Sequence, residues 1–191
     1  MKFIKTKIPD VIMIEPDIFA DDRGYFMETY RSDKLQEALG FNIDFLQDNE
    51  SKSSYGVLRG LHFQLPPFAQ SKLARAIKGK ILDIAVDIRK GSPTFGKYVA
   101  VELSEENKRM LFIPRGFAHG FVVLSEEAIL SYKVDNYYAR EFDRGIAFDD
   151  PTLNIDWQIN PDHLLLSDKD KKQPLLLDTD KLFDYDEDLY G

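Results

Sequence analysis

Between Ile81 and Val134 the chain alternates apolar and polar residues with a period of two, and this pattern constrains the fold more than any other feature. In Ile81–Arg89, the side chains of Leu82, Ile84, Val86 and Ile88 share one face, and Asp83 and Asp87 lie on the other. Gly91-Ser92-Pro93 marks a turn, and a second strand follows over Lys97–Leu103. The polar loop Ser104–Lys108 leads to Met110–Ile113, then to Phe117–Leu124 and Ala128–Val134. Successive side chains of a strand point to opposite sides. Short strands of this kind at close spacing predict a sandwich or barrel. The aromatic content, 13% with 14 Phe and 9 Tyr, points the same way, because aromatic side chains suit pleated, half-buried surfaces. The expectation is an all-β chain folded as a double-sheet jelly roll.

The rest of the chain adds less regular pieces. A short helix is predicted over Ser32 to Leu39, with Ser32 as N-cap, Leu35, Ala38 and Leu39 on one face, and Gly40 as the stop. From about Pro161 the tail is mixed and acidic, and it is expected to fold as short peripheral helices against the barrel. With 191 residues, 43% of them hydrophobic, and no repeat or linker, residues 1–191 are expected to form one domain with an N-terminal arm and a C-terminal tail. The absence of cysteine excludes a disulfide framework and a thiolate metal site. The N-terminus lacks the apolar run of a signal peptide, and no stretch approaches the roughly 20 apolar residues that span a bilayer. A soluble, cytoplasmic protein without membrane contact is expected. The formal net charge of −8 argues against nucleic-acid binding, but a phosphorylated substrate needs only a few well-placed Arg or Lys donors.

Only three histidines are present, His62, His119 and His163. Jelly rolls of this type include the cupins, whose metal sites bring together three His and one Glu, two of the His in a His-x-His pair. Here that stretch reads His62-Phe63-Gln64, and His163 lies far down the chain. Ligand type and count therefore speak against a metal. His62, in Arg59-Gly60-Leu61-His62, is either a general base titrating near neutral pH or a hydrogen-bonded barrel histidine, and His119 carries the same ambiguity. Tyr132 shares a face with Ala128, Leu130 and Val134, so it points into the core or the barrel mouth. There its hydroxyl needs a partner or can donate a proton to an enolate. Ser167-x-x-Asp170 matches a helix capping box; alternatively Asp170 orients His62, as an aspartate does in hydrolytic triads. Arg23, Arg59 and Lys72 are candidate phosphate ligands. Gln47, Asn49 and Ser51 alternate along one face, either toward solvent or lining a cleft where amides meet the edge of a base.

Taken in order, further segments carry a family signature. They include Asp22-Arg23-Gly24-Tyr25-Phe26-Met27-Glu28, Gln47-Asp48-Asn49-Glu50-Ser51 and Gly56-Val57-Leu58-Arg59-Gly60-Leu61-His62-Phe63-Gln64. Ile113-Pro114-Arg115-Gly116-Phe117-Ala118-His119-Gly120-Phe121, Tyr137-Tyr138 and Leu166-Ser167-Asp168-Lys169-Asp170 follow. Through these segments the chain resembles the dTDP-4-dehydrorhamnose 3,5-epimerases. The resemblance implies a homodimeric cupin-type jelly roll that uses no metal or cofactor and acts on a dTDP-linked 4-keto-6-deoxy sugar. It implies His62 as base with Asp170, rather than the neighbouring Asp168, as its partner, Tyr132 as acid, and Lys72 near the keto oxygen. It assigns Arg23 and Arg59 to the diphosphate, and Phe26, Glu28, Gln47, Asn49 and Tyr138 to the nucleotide cleft, with His119 among the substrate-binding positions. Some nucleotide contacts in such dimers come from the partner subunit. Strand parity sets Arg59 and His62 on opposite faces, so a bulge at Gly60 is needed to bring both to the site; a similar break at Gly24 would reconcile Arg23 with Phe26 and Glu28. The competing readings are a single-centre 3- or 5-epimerase, a ketoisomerase, and a non-catalytic nucleotide-sugar-binding cupin.

Overall fold

The computed structural model describes residues 1–191. Its first strands are β1 (Lys2–Lys5), β2 (Ile12–Glu15), β3 (Ile18–Asp21) and β4 (Gly24–Met27), and helix α1 (Ser32–Leu39) follows. Next come β5 (Gln47–Ser54), β6 (Leu58–Gln64), β7 (Lys72–Lys78), β8 (Lys80–Asp87) and β9 (Arg89–Lys90). The remaining strands are β10 (Tyr98–Ser104), β11 (Met110–Ile113), β12 (Phe117–Val123), β13 (Glu127–Val134), β14 (Asp143–Gly145) and β15 (Phe183–Asp184). No helix is long and apolar enough to cross a membrane.

Two antiparallel sheets face each other. One has the order β1-β2-β11-β7-β13-β5 and the other β10-β8-β12-β6-β14. The alternation read from the sequence sorts side chains among layers. Ile81 and Ala85 of β8 point between the sheets, where they meet Phe121 of β12, Leu111 of β11 and Leu130 of β13. Leu82, Ile84 and Val86 point outward from the same strand, followed by Ile88 just past its end, yet they are also buried, because the tail covers that face with Leu153, Trp157, Leu176 and Phe183. The outer face of the six-stranded sheet is closed in turn by Leu35 of α1 over Leu73, Met110 and Phe112. The tail contributes three single-turn 3-10 helices, Pro161–His163, Asp170–Lys172 and Leu176–Asp178. These layers make the cupin-type jelly roll with short peripheral helices that the patterning predicts.

One local expectation changes, and one face proves closed. Ser32 is the first helical residue rather than the cap; Arg31 occupies the cap position without a side-chain hydrogen bond. The Ser32 hydroxyl instead accepts from Gln36 Nε2 at 3.1 Å. Gly40 ends the helix as expected, at φ 80°, with its N–H donating to the Gln36 carbonyl. Asp83 lies on the polar face of β8, but that face is the closed interior of the barrel, where it is 0% exposed.

Candidate active site

The site forms where β6 passes β12. His119 pairs with His62 and Phe121 with Arg59, so Gly120 alone stands opposite Gly60 and Leu61. This is the bulge that parity demanded. Gly60 has φ +124°, and a Cβ there would meet the Gly120 Cα at 2.5 Å and the His119 carbonyl oxygen at 2.7 Å. Two glycines are therefore required for the strands to close at this point. The extra residue turns Arg59 and His62 to one side, leaving Leu58, Leu61 and Phe63 in the outer core.

Arg59 and His62 open onto a cavity of about 500 Å³ that also receives Lys72, His119, Tyr132 and Asp170. His62 comes from the five-stranded sheet, and Lys72 and Tyr132 from the six-stranded one, so they occupy opposing walls. Asp170 is 4% exposed, and its Oδ1 lies 2.6 Å from His62 Nε2. Its Oδ2 accepts from the Ser167 hydroxyl at 2.7 Å, and the same hydroxyl accepts from the Asp170 N–H at 3.1 Å. The capping-box reading and the histidine-partner reading are thus both realised by one pair of side chains. Asp168, two residues away, is exposed. Burial raises the Asp170 carboxyl, but the hydrogen bonds from His62 and Ser167 outweigh it and hold the group below its ordinary range.

The other groups are tuned mainly by burial. Lys72 is half-buried, and partial loss of water around its amine in the cavity wall pushes it down to about 8, against the opposing fields of Asp143 and Asp83. Burial raises the Tyr132 phenol, with the charge of Arg59 working the other way, so it stays protonated at neutral pH. His119 is lowered by burial, although Asp83 favours its charged form; His119 Nε2 lies 2.7 Å from Asp83 Oδ1. No cluster of three or more His, Asp or Glu is arranged to hold a metal ion.

A second cavity of about 360 Å³ shares His62, Lys72 and Tyr132 with the first and extends to Gln47, Asn49 and Tyr138. Gln47 Nε2 donates to Asn49 Oδ1 at 2.7 Å. The row Gln47, Asn49, Ser51 thus faces the two cavities rather than solvent. Two residues that sequence reasoning passed over, Asp143 and Lys169, also line this space. They form an ion pair, and the Tyr138 hydroxyl donates to Asp143 at 3.1 Å. Lys169 lies inside the recognised Ser167–Asp170 segment, so its position was visible and only its direction was hidden.

Three expected residues are not brought to these cavities within one chain. Arg23, Phe26 and Glu28 belong to or follow the β3–β4 hairpin, a separate two-stranded sheet. Arg23 lies in its turn, with a side chain 90% exposed and paired to Asp21, so no strand bulge at Gly24 is involved. Phe26 is 66% exposed, and Glu28 pairs with Arg31 and Lys34.

The same arrangement of strands recurs in known proteins. An epimerase from Elizabethkingia anophelis, dTDP-4-dehydrorhamnose 3,5-epimerase, superposes with a TM-score of 0.91 at 51% identity, over 95% of this chain and 99% of its own. A Legionella pneumophila dTDP-6-deoxy-D-glucose-3,5-epimerase, solved with dTDP-4-keto-L-rhamnose, gives a TM-score of 0.94 at 46% identity over 97% and 99% of the two chains. The Shigella flexneri dTDP-4-dehydrorhamnose 3,5-epimerase is 55% identical over 94% of this chain and 98% of its own. A family model described as dTDP-4-dehydrorhamnose 3,5-epimerase matches residues 5–178. With motifs, layers and likeness in agreement over nearly its whole length, the chain belongs to the dTDP-4-dehydrorhamnose 3,5-epimerase family.

Proposed function

We propose that the protein inverts C3 and C5 of dTDP-4-dehydro-6-deoxy-D-glucose, giving dTDP-4-dehydro-L-rhamnose. The observation that carries this reading is the pairing of His62 with Asp170 on one wall of a cavity and Tyr132 with Lys72 on the other. Carbons beside a ketone lose protons readily because the resulting anion spreads onto oxygen. In a 4-keto sugar those carbons are C3 and C5. His62 removes the proton, and Asp170 holds the ring and stabilises its charged form. Lys72 meets the developing enolate oxygen, a type of stabilisation that is generally a large catalytic contribution. Tyr132, from the opposite sheet, returns a proton to the other face and so inverts the centre. A change of ring conformation then presents the second carbon. No redox cofactor enters this scheme, because the substrate is not oxidised overall.

The nucleotide is read into the second cavity, with Gln47, Asn49 and Tyr138 near the base and sugar, Arg59 on the diphosphate and His119 on the hexose. Arg23, Phe26 and Glu28 complete that cleft in a homodimer, their hairpin reaching the other copy. The exposed aromatic surface of the hairpin, Phe19, Tyr25 and Phe26, supports this reading. Residues 1–191 act in this scheme as one domain, and the absence of cysteine fits work in a cytoplasmic, reducing compartment.

Proton NMR of the protein with dTDP-4-keto-6-deoxy-glucose in D₂O tests the proposal. Deuterium is expected at both C3 and C5, with conversion to the doubly inverted product. Exchange and inversion at one carbon alone would replace this reading with a single-centre epimerase; tight binding without exchange would leave a binding protein. His62→Ala should fold normally and lose about 10²–10⁴-fold in turnover.

A further inference from the structure

The interior of the barrel holds an acidic group that the scheme above does not use. Asp83 is fully enclosed between the two sheets. One of its oxygens meets His119 Nε2 at 2.7 Å, and the other, Oδ2, is buried with no partner in the protein. Across the interior, on the opposite sheet, is Lys72, which lines the cavity and whose amine makes no hydrogen bond or ion pair of its own. We propose that Asp83 is a positioning residue for epimerisation, fixing the His119 ring through one oxygen and supplying through the other the negative charge that keeps Lys72 cationic in the cavity. This inference rests on the reading of Lys72 as the group that meets the enolate.

The geometry supports both halves. Asp83 pairs with Phe121 of β12, and His119 pairs with Ala85 of β8, so Asp83 and His119 are diagonal neighbours on one face. A carboxylate accepts and does not donate, so Nε2 carries the imidazole proton and Nδ1 is left as an acceptor. Since His119 lines the cavity, that acceptor suits a sugar hydroxyl. A carboxylate enclosed in low dielectric is costly unless a cation faces it, and an ammonium partly withdrawn from water at the cavity wall gains from a facing carboxylate. Asp83, Asp143 of β14 and Lys169 of the tail are the charged groups whose fields act on Lys72. The other ionisable walls are Arg59 and His62 of β6, His119 of β12, Tyr132 of β13, Tyr138 and Asp170. Of these groups, Asp83 alone is a carboxylate shut entirely inside the barrel, where no solvent screens it.

The test is the pH profile of turnover for Asp83→Asn, which keeps the shape and removes the charge. In the wild type, loss of the Lys72 proton should set an alkaline limb near 8. In Asp83→Asn that limb should move down by about one pH unit, so that turnover at pH 8 falls about fivefold beyond any loss at pH 6. A folded Asp83→Asn protein with the limb in its wild-type place overturns the proposal, whatever its activity. If that variant does not fold, His119→Gln decides. It retains the Asp83 charge, so its limb should stay or rise while KM increases, and a fall in the limb overturns the proposal. A wild-type protein that does not epimerise would instead refute the functional reading itself, and the two failures are therefore distinguishable.

Discussion

Replacing Gly60 by alanine would set a methyl group 2.5 Å from the Gly120 Cα and 2.7 Å from the His119 carbonyl, at a residue whose φ is +124°. Two costs combine. The backbone conformation, which L side chains rarely adopt, adds roughly 1–3 kcal/mol. The clash is with backbone on a neighbouring strand and cannot be relieved by a rotamer change, adding about 1–3 kcal/mol of overpacking. The sum, about 2–6 kcal/mol, lowers the midpoint of a protein this size by roughly 5–20 °C. Gly24 separates the two costs. Its φ is +128°, but nothing lies within 4 Å of its would-be Cβ. Gly24→Ala should therefore carry the backbone cost alone. Turnover adds a second readout, because relief of the clash shifts the bulge that sends Arg59 and His62 to one side. A 1 Å displacement of such groups can cost about 10²-fold. The assays are thermal melts of both variants and the deuterium-exchange NMR experiment. Equal destabilisation by the two substitutions, or a Gly60→Ala protein with wild-type midpoint and turnover, would refute the argument that this contact holds the site in register.

Asp170→Asn should lower turnover by about 10²–10⁴-fold and cost about 2 kcal/mol through its charged hydrogen bonds. Since the folded Asp170 carboxyl is depressed below its ordinary value of 3.8, its stabilisation is present above that pH and lost as the pH falls through the folded value. Melts of wild type and variant should converge at acid pH. Tyr132→Phe should retain solvent exchange at C5 while losing the inverted product; equal loss of both would count against the division between base and acid. Mixing inactive Arg23→Ala with inactive His62→Ala protein should restore turnover if the hairpin serves the other copy, since one mixed site then has both residues intact. A mixture as inactive as its components, after demonstrated subunit exchange, would place Arg23 in its own chain's site.

The strands from Lys80 to Val134 were legible because period-two alternation survives wherever one face differs from the other. What that pattern could not give was the character of each face. Leu82 and Ile84 were read as sharing one face, but the tail that covers that face, with Leu153, Trp157 and Phe183, has no period to read. Asp83 was misleading for the same reason: a polar side of a strand ordinarily means solvent, and here it lines the barrel interior. A usable signal was present, since Asp83 stands between Ile81 and Ala85, both apolar and on its own face. His62, Lys72, Tyr132 and Asp170 stood out by residue type and context, and the resemblance chose among their readings; the turning of His62 and Arg59 to one side required Gly60, a residue whose role follows from strand parity. Arg23, Phe26 and Glu28 were picked out by the same resemblance, but a single chain offers no route from their hairpin to the cavity.

The His62–Asp170 bond joins residues 108 positions apart, and beside it the tail clips onto β6, Leu165 donating to the Gly56 carbonyl at 2.8 Å while its own carbonyl accepts from Leu58 at 3.0 Å. On a ribosome adding about 5–20 residues per second, every strand of the two large sheets is synthesised before the carboxylate that pairs with His62. The stretch from the end of β14 at Gly145 to Asp170 takes about 1–5 s to synthesise at that rate. In the proposed scheme, turnover measured during refolding should appear only once the tail has docked, and turnover that precedes protection of the tail would separate Asp170 from the chemistry.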